Sequence, residues 1–364
     1  MPLSCGIVGL PNVGKSTIFN VLTRSAQALA ANYPFATIEP NVGEVAVPDA
    51  RLAVLQRLVS AARIVPATVR FVDIAGLVRG ASAGEGLGNA FLSHIRETNA
   101  IALVVRCFED DEVTHVEGAL DPRRDCEIIA IELALADLAT MRKRLPRIER
   151  EIRTDPKMRE YLAAAKRLTA ALEEARPARR FAPGSLEAQV AADSFLLTSK
   201  PVLYVANVDE TQIGVDSECV RTVRAIAVED GGRTIVLSGK VESELAGLSE
   251  PEAEEFRKEL GIARSGLDDL AAEAYELLGL TTFLTAGEKE ARAWPIRKGT
   301  KAPQAAASIH SDIERGFIRA EIVAFQDYVE YQTMEALRAA GRVRSEGREY
   351  VMQEGDVVNF RFNV

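Results

Sequence analysis

Cysteine and histidine are scarce in this chain. Its 364 residues include four cysteines and three histidines. Cys5, Cys107, Cys126 and Cys219 are scattered, with no Cys-x-x-Cys pair. That excludes a compact zinc site, argues against a disulfide framework and suits a reducing compartment. No apolar run approaches the ~20 residues that span a bilayer, so no membrane partner is expected. Repeats and low-complexity segments are absent. So is any excess of positive charge: 44 Lys and Arg against 53 Asp and Glu leave a net charge of −9. The whole chain is therefore no general polyanion binder, and DNA is not expected as a partner. Any nucleic-acid contact must come from a local basic surface. The first residues run directly towards a strand, so a secretory leader is not expected and a cytoplasmic location is. The length suggests two or three domains.

What is present begins at residue 9. Gly9-Leu10-Pro11-Asn12-Val13-Gly14-Lys15-Ser16 is a complete phosphate-binding loop. Cys5-Gly6-Ile7-Val8 before it reads as a buried strand, and Thr17-Ile18-Phe19-Asn20 after it opens a helix. Gly9 and Gly14 let successive backbone N–H groups turn inward at phosphate oxygens. The helix N-terminus adds partial positive charge. Asn12, Val13, Gly14, Lys15, Ser16 and Thr17 are the expected phosphate contacts. Lys15 serves the β/γ oxygens as a point charge, and the Ser16 hydroxyl is an Mg²⁺ ligand. Val69-Arg70-Phe71-Val72-Asp73-Ile74-Ala75-Gly76 ends a strand in Asp-x-x-Gly. Asp73 is the expected metal carboxylate and Gly76 the backbone sensor of the γ-phosphate. Between these motifs, Thr37 in Asn32–Pro40 is the candidate third metal contact; a surface-loop threonine is the alternative. The five glycines of Gly76–Gly88 suit a segment that a γ-phosphate orders and hydrolysis releases.

The base loop departs from the guanine pattern. Strand Pro201–Ala206 is followed by Asn207-Val208-Asp209-Glu210, where GTPases of this class carry Asn-Lys-x-Asp. The aspartate of that pattern accepts the N1–H and N2 amine of guanine; adenine offers neither. Here Val208 replaces the lysine, Glu210 replaces the aspartate, and Asp209 is one residue out of phase. This weakens a GTPase reading. Ser238-Gly239-Lys240 follows a further strand and backs the base. The residue after Gly76 is Leu77, whose alkyl chain cannot orient a water, so intrinsic turnover is expected to be slow.

Two further regions have their own patterns. Residues 122–197 interrupt the sheet. Ile128, Ile131, Leu135, Leu138, Leu145 and Ile152 form a 3–4 stripe; after a break at Thr154-Asp155-Pro156, Tyr161, Ala165, Leu168 and Leu172 repeat it. The pattern predicts an antiparallel helical hairpin. Its outer Arg and Lys residues form either a solvated face or a contact surface for RNA or protein. From about residue 280 strands and short helices alternate, as in a small β-grasp unit. The basic stretch Arg292, Arg297, Lys298, Lys301 is either solubilising charge or an RNA contact.

Taken in order, Gly-Leu-Pro-Asn-Val-Gly-Lys-Ser-Thr, Asn-Tyr-Pro-Phe-Ala-Thr-Ile, Asp-Ile-Ala-Gly-Leu-Val, Asn-Val-Asp-Glu, Arg-Ala-Trp-Pro-Ile-Arg-Lys-Gly-Thr-Lys and the C-terminal Gly-Asp-Val-Val-Asn-Phe-Arg-Phe-Asn-Val closely resemble the YchF group of Obg-related P-loop NTPases. The resemblance spans essentially the whole chain. It implies an α/β nucleotide domain with a mostly parallel sheet (1–121 and 198–279), an inserted coiled-coil arm (122–197) and a β-grasp domain called TGS (280–364). It also implies an Mg²⁺-dependent ATPase that prefers ATP to GTP, turns over slowly and acts as a switch on the ribosome. The contact would be the large subunit or the whole particle, with ribosomal RNA as a further partner. His115 matches a histidine that positions the attacking water, beside Lys15 as the second catalytic group. Asn12 resembles an asparagine that supports K⁺ binding in related NTPases. The base site is expected at Asn207, Val208, Glu210, Ser238 and Gly239, and the metal site at Ser16, Thr37 and Asp73. Gly239 stands where the family usually has Ala, and Pro295 where Thr is common. The rival readings are an Obg-type GTPase and a nucleotide-gated ribosome scaffold whose hydrolysis is incidental.

Overall fold

The computed structural model describes residues 3–32, 41–74, 87–109, 120–151 and 158–363. In chain order the elements are β1 (Ser4–Val8), α1 (Lys15–Asn32), β2 (Val42–Ala46), α2 (Ala50–Val59), β3 (Ile64–Val65), β4 (Thr68–Asp73), α3 (Leu87–Glu97) and β5 (Ala100–Arg106). There follow α4 (Pro122–Glu151), α5 (Met158–Glu173), α6 (Leu186–Asp193), β6 (Val202–Asn207), α7 (Glu218–Asp230), β7 (Arg233–Leu237), α8 (Gly239–Leu245), α9 (Glu250–Glu259) and α10 (Gly266–Leu277). The last part holds β8 (Leu280–Ala286), β9 (Ala291–Arg297), α11 (Ala302–Ala307), α12 (Ser311–Arg315), β10 (Phe317–Ala324), α13 (Phe325–Tyr331), α14 (Met334–Ala339), β11 (Arg344–Glu346) and β12 (Asp356–Phe362). They form two compact units, residues 1–45 with 70–277, and residues 46–69 with 278–364.

The first unit is built on a sheet of order β2-β4-β1-β5-β6-β7. The β4–β1, β1–β5, β5–β6 and β6–β7 pairs are all parallel. β5 and β6 are buried at every position, the pattern of central strands covered on both faces. Register aligns their carboxyl ends: Asp73 lies beside Ile7, and Arg106, Asn207 and Leu237 sit in one row. The loops that leave these ends share one edge, where ligands bind in open α/β sheets.

The hairpin of α4 and α5 belongs to this unit. Ala165, Leu168 and Leu172 of α5 are buried as the periodicity predicts, and Leu138 and Ile148 of α4 join them. The α4 stripe needs correction. Ile131 and Leu135 are 46% and 45% exposed, whereas Ile129, Leu133 and the carboxylate of Asp137 are buried. Asp137 tolerates burial because it accepts hydrogen bonds from the Leu197 N–H, the Thr198 N–H and the Thr198 hydroxyl at 2.7–2.8 Å. A satisfied carboxylate thus turns a face inward that hydropathy alone points outward. The expected break at 154–156 lies outside the described residues.

The second unit is a sheet of order β11-β10-β12-β8-β9-β3. β8–β9 and β10–β12 are antiparallel and β12–β8 is parallel, the β-grasp arrangement. Phe283 stacks on Trp294 at 6.2 Å and meets Phe360 edge-on at 5.7 Å. The expected helix over 302–314 is divided where the His310 side chain caps α12. Sequence continuity assigns residues 46–69 to the nucleotide unit, but β3 pairs in parallel with β9, matching Ile64 to Ala291.

Candidate nucleotide site

Between β1 and α1 the chain curls through Asn12 at φ 66° and Gly14 at φ 87°, both left-handed. Gly14 is required twice over. A Cβ there would adopt a backbone angle that side chains avoid, and it would lie 2.1 Å from Asn207 Nδ2. At Gly9 a Cβ would approach the Val104 carbonyl to 2.8 Å. Val13 is buried behind the loop and anchors it, while Ser16 and Thr17 are exposed at the start of α1.

Asn207 ties the loop to the base side. Its Nδ2 donates to the Val13 carbonyl at 2.9 Å, and its Oδ1 accepts from the Gly239 N–H at 2.9 Å. Its own carbonyl accepts from the Cys107 N–H at 2.8 Å, and the Val208 N–H donates to Leu237 O at 2.9 Å. One buried amide therefore holds three loops in register. Ser238 is buried and caps α8 by accepting from the Val241 N–H. Asp209 is turned into its own loop, accepting from the Thr211 N–H at 2.8 Å and the Thr211 hydroxyl at 2.5 Å. Glu210 accepts from Lys240 Nζ at 3.1 Å.

Lys15 is 9% exposed and donates to Asp73 Oδ1 and to Ile74 O, each at 2.8 Å. The lysine and the carboxylate thus neutralise one another. A polyphosphate with its metal would take both over, Lys15 turning to the phosphate oxygens and Asp73 to the metal. The donors fit Mg²⁺: the hydroxyl of Ser16 and the carboxylate of Asp73 are hard oxygens, and the phosphates would supply the rest. Among the described residues no group of three His, Cys, Asp or Glu converges on a metal position.

These elements enclose a cleft of about 990 Å³. Of the expected site residues, Asn12, Gly14, Lys15, Ser16, Thr17, Asn207, Val208 and Gly239 line it. Val13 and Ser238 support it from behind, and Glu210 stands outside its wall. Thr37, Gly76, Leu77 and His115 lie outside the described residues. Phe108, Glu109, Ser243 and Glu244 also line the cleft and were not anticipated. Phe108 is fixed by Arg106, whose guanidinium sits 4.6 Å above its ring. The available signal was positional: both loops leave carboxyl ends of central strands.

The cysteine expectation needs correction. Cys107, at the end of β5, and Cys219, in the first turn of α7, are joined as a disulfide across a Cα separation of 5.6 Å. Their sequence separation of 112 gave no sign of this proximity. Cys5 and Cys126 are unpaired and buried. Burial pushes the Cys5 thiol up to about 12.

Residues 4–137 match the family model described as "50S ribosome-binding GTPase". Residues 280–363 match the YchF-GTPase C-terminal model, described as a protein of unknown function. The chain is 51% identical to the protein named "Ribosome-binding ATPase YchF" of Bacillus subtilis, with all of both chains covered. It is 47% identical to the protein of the same name from Haemophilus influenzae, again over the full length of both. The solved structure of the Schizosaccharomyces pombe YchF GTPase superposes with a TM-score of 0.88 at 40% identity, covering 99% of this chain and 97% of that one. With its phosphate loop, base loop and β-grasp unit matched end to end at this identity, the chain belongs to the YchF family of P-loop NTPases.

Proposed function

We propose that this protein is an Mg²⁺-dependent nucleoside triphosphatase that hydrolyses ATP, in preference to GTP, to ADP and phosphate. It acts as a slow switch on the ribosome in the cytoplasm. The observation that carries the ATP preference is the base loop. The carboxylate at the guanine-reading position is Glu210, engaged by Lys240 at 3.1 Å, and Asp209 is occupied by Thr211. Neither is poised for the N1–H and N2 amine of guanine, so the main reason to reject adenine is gone. The names of the B. subtilis and H. influenzae relatives agree with ATP and with the ribosome. The S. pombe relative and the N-terminal family are both named as GTPases, so a GTPase is the second reading.

Lys15, Ser16, Asp73 and Thr37 manage phosphate and metal, and Gly76 senses the γ-phosphate. Asn207, Val208 and Gly239 frame the base. The bound Mg²⁺ would neutralise charge on the β/γ oxygens. Leu77 cannot hold the attacking water, and His115 takes that role. Asn12 supports a K⁺ ion. The nucleotide unit senses the ligand, and the helical arm and the β-grasp unit deliver the output. Competition of ATP and GTP for the purified protein tests the base. A GTP dissociation constant well below that of ATP overturns the preference. His115→Ala should cut hydrolysis and leave ATP affinity intact; unchanged turnover would favour a scaffold with incidental hydrolysis. Equal rates in K⁺ and Na⁺ would remove the role of Asn12.

A further inference from the structure

The helix that follows the base loop is too short to hold its own place. α8 runs only from Gly239 to Leu245, and an isolated helix that short is marginal in water. Yet Gly239, Lys240, Ser243 and Glu244 all line the cleft. Its position must come from what it is fastened to. At its start Ser238 caps it by accepting from the Val241 N–H, and Asn207 Oδ1 accepts from the Gly239 N–H at 2.9 Å. Gly239 also lies close against α1: a Cβ there would stand 3.3 Å from Ile18 Cγ1. Val241 and Leu245 are buried with Ala253 of α9.

The remaining fastening is a carboxylate. Glu242 is 4% exposed, an unusual place for an acid. Its Oε1 accepts from the Gly266 N–H at 2.7 Å, and its Oε2 accepts from the Ser265 hydroxyl at 2.7 Å. Both donors stand at the N-terminus of α10, where the helix dipole favours a negative charge. The Ser265 oxygen accepts in turn from the Leu267 N–H at 3.1 Å.

Gly266 makes this approach possible. A Cβ there would lie 2.6 Å from Leu237 Cβ and 3.0 Å from Glu242 Oε1. Leu237 ends β7 and directly precedes Ser238. The start of α10 thus meets both the strand that enters the base loop and the helix that leaves it. Glu242, Ser265 and Gly266 are not among the residues that line the cleft. Replacing a buried ionic contact by an apolar one is often neutral or stabilising, so the acid is better explained by what it orients than by what it stabilises.

We propose that Glu242 is a positioning residue for the base: by clasping the start of α10 it fixes the roll and depth of α8, and so sets where Gly239, Ser243 and Glu244 stand in the cleft wall. This rests on the reading of Asn207, Val208 and Gly239 as the frame of the base. The phosphate side has its own support in the loop before α1. Loosening α8 therefore costs the nucleoside and spares the triphosphate.

The test compares two ligands on the full chain by isothermal titration calorimetry, ATP and inorganic triphosphate, each with Mg²⁺. The triphosphate reads the phosphate loop alone, so the ratio of the two dissociation constants isolates the nucleoside. Glu242→Gln keeps the size of the side chain and turns an amide nitrogen towards donors. It should weaken ATP about tenfold and leave triphosphate within about twofold. Ser265→Ala removes one of the two donors and should weaken ATP about threefold, with triphosphate unchanged. Glu252→Gln is the control. Glu252 accepts from the Ser249 N–H at 2.9 Å in the capping box of α9, so this variant loosens a helix start and leaves the ratio alone. A ratio that moves as far in the control overturns the proposal. So does an equal loss of both ligands in Glu242→Gln, or a ratio unchanged in Glu242→Gln and Ser265→Ala. Should Glu242→Gln not fold, Ser265→Ala decides alone. The wild type reads the base site separately: ATP bound no more tightly than triphosphate overturns the frame of Asn207, Val208 and Gly239, and the positioning role with it.

Discussion

The phosphate side and the base side of the nucleotide cleft are held in different ways. On the phosphate side the cation is neutralised by an exchangeable partner, Lys15 by Asp73 at 2.8 Å. On the base side the anchors are buried and fixed: Asn207 holds Val13 and Gly239, and Glu242 holds Ser265 and Gly266. The difference matches what each side receives. A nucleotide that arrives with its own metal meets a cradle of backbone N–H groups, and an exchangeable ion pair keeps that cradle intact while it is empty. A base brings no charge, so its side gains most from walls that are already in place when it arrives.

The largest expected effect breaks both sides together. In Gly14→Ala the new Cβ would lie 2.1 Å from Asn207 Nδ2 at φ +87°, so either the loop or Asn207 must move. Moving Asn207 breaks its bonds to Val13 and Gly239 together. ATP affinity should fall on the order of 100-fold, ~2.7 kcal/mol, by titration with a fluorescent ATP analogue. Affinity for Mg²⁺-triphosphate should fall with it. A loss confined to ATP would show that only Asn207 moves and that the phosphate loop keeps its shape.

That contrast also explains what could be read from the residues. The phosphate loop is local: Gly9, Gly14, Lys15 and Ser16 carry their geometry in eight consecutive positions. Its partners Phe108, Glu109, Ser243 and Glu244 carry no motif, because a loop residue at a strand end becomes a wall only when the strands align. The arm was less legible still. The basic residues of the arm stood out, but not which of them have carboxylate partners, since Glu173 and Glu187 come from other helices. The exposure of Ile131 and Leu135 went unseen for a related reason. Periodicity counts apolar side chains, and α4 is oriented in part by a buried acid, Asp137.

Asp137 gives the intermediate prediction, a control from outside the cleft. Its carboxylate accepts three hydrogen bonds from Leu197 and Thr198. In Asp137→Asn the amide nitrogen faces donors, so unfolding at neutral pH should need about 1–3 kcal/mol less, measured by urea titration. The pH dependence supplies a second readout. Burial raises the Asp137 pKa above its ordinary 3.8, so the folded chain holds this proton more tightly than the unfolded chain does. That contribution is complete below 3.8 and is lost as pH rises through the raised folded value. The wild type should therefore lose stability across the window just above 3.8, relative to the asparagine variant. ATP affinity of the folded variant should stay within about twofold of the wild type, because Asp137 lies outside the cleft wall.

The smallest expected effect is Lys240→Ala, which removes a neutralising partner from the cleft. The pair it forms with Glu210 is exposed on both sides, 66% and 45%, so it is worth at most about 1 kcal/mol. Freed from Lys240, the Glu210 carboxylate can turn towards the donors of guanine. The ratio of GTP to ATP dissociation constants should then move towards GTP by no more than about fivefold, and less at high salt. Competition binding at low and high KCl reads both quantities. A tenfold or larger shift that survives salt would make the Glu210–Lys240 pair the element that selects the base. No shift at either salt would mean that Asp209, locked onto Thr211, and Val208 in the cleft wall suffice to disfavour guanine, and that the neutralised charge at the rim serves only to keep the empty cleft closed to other anions.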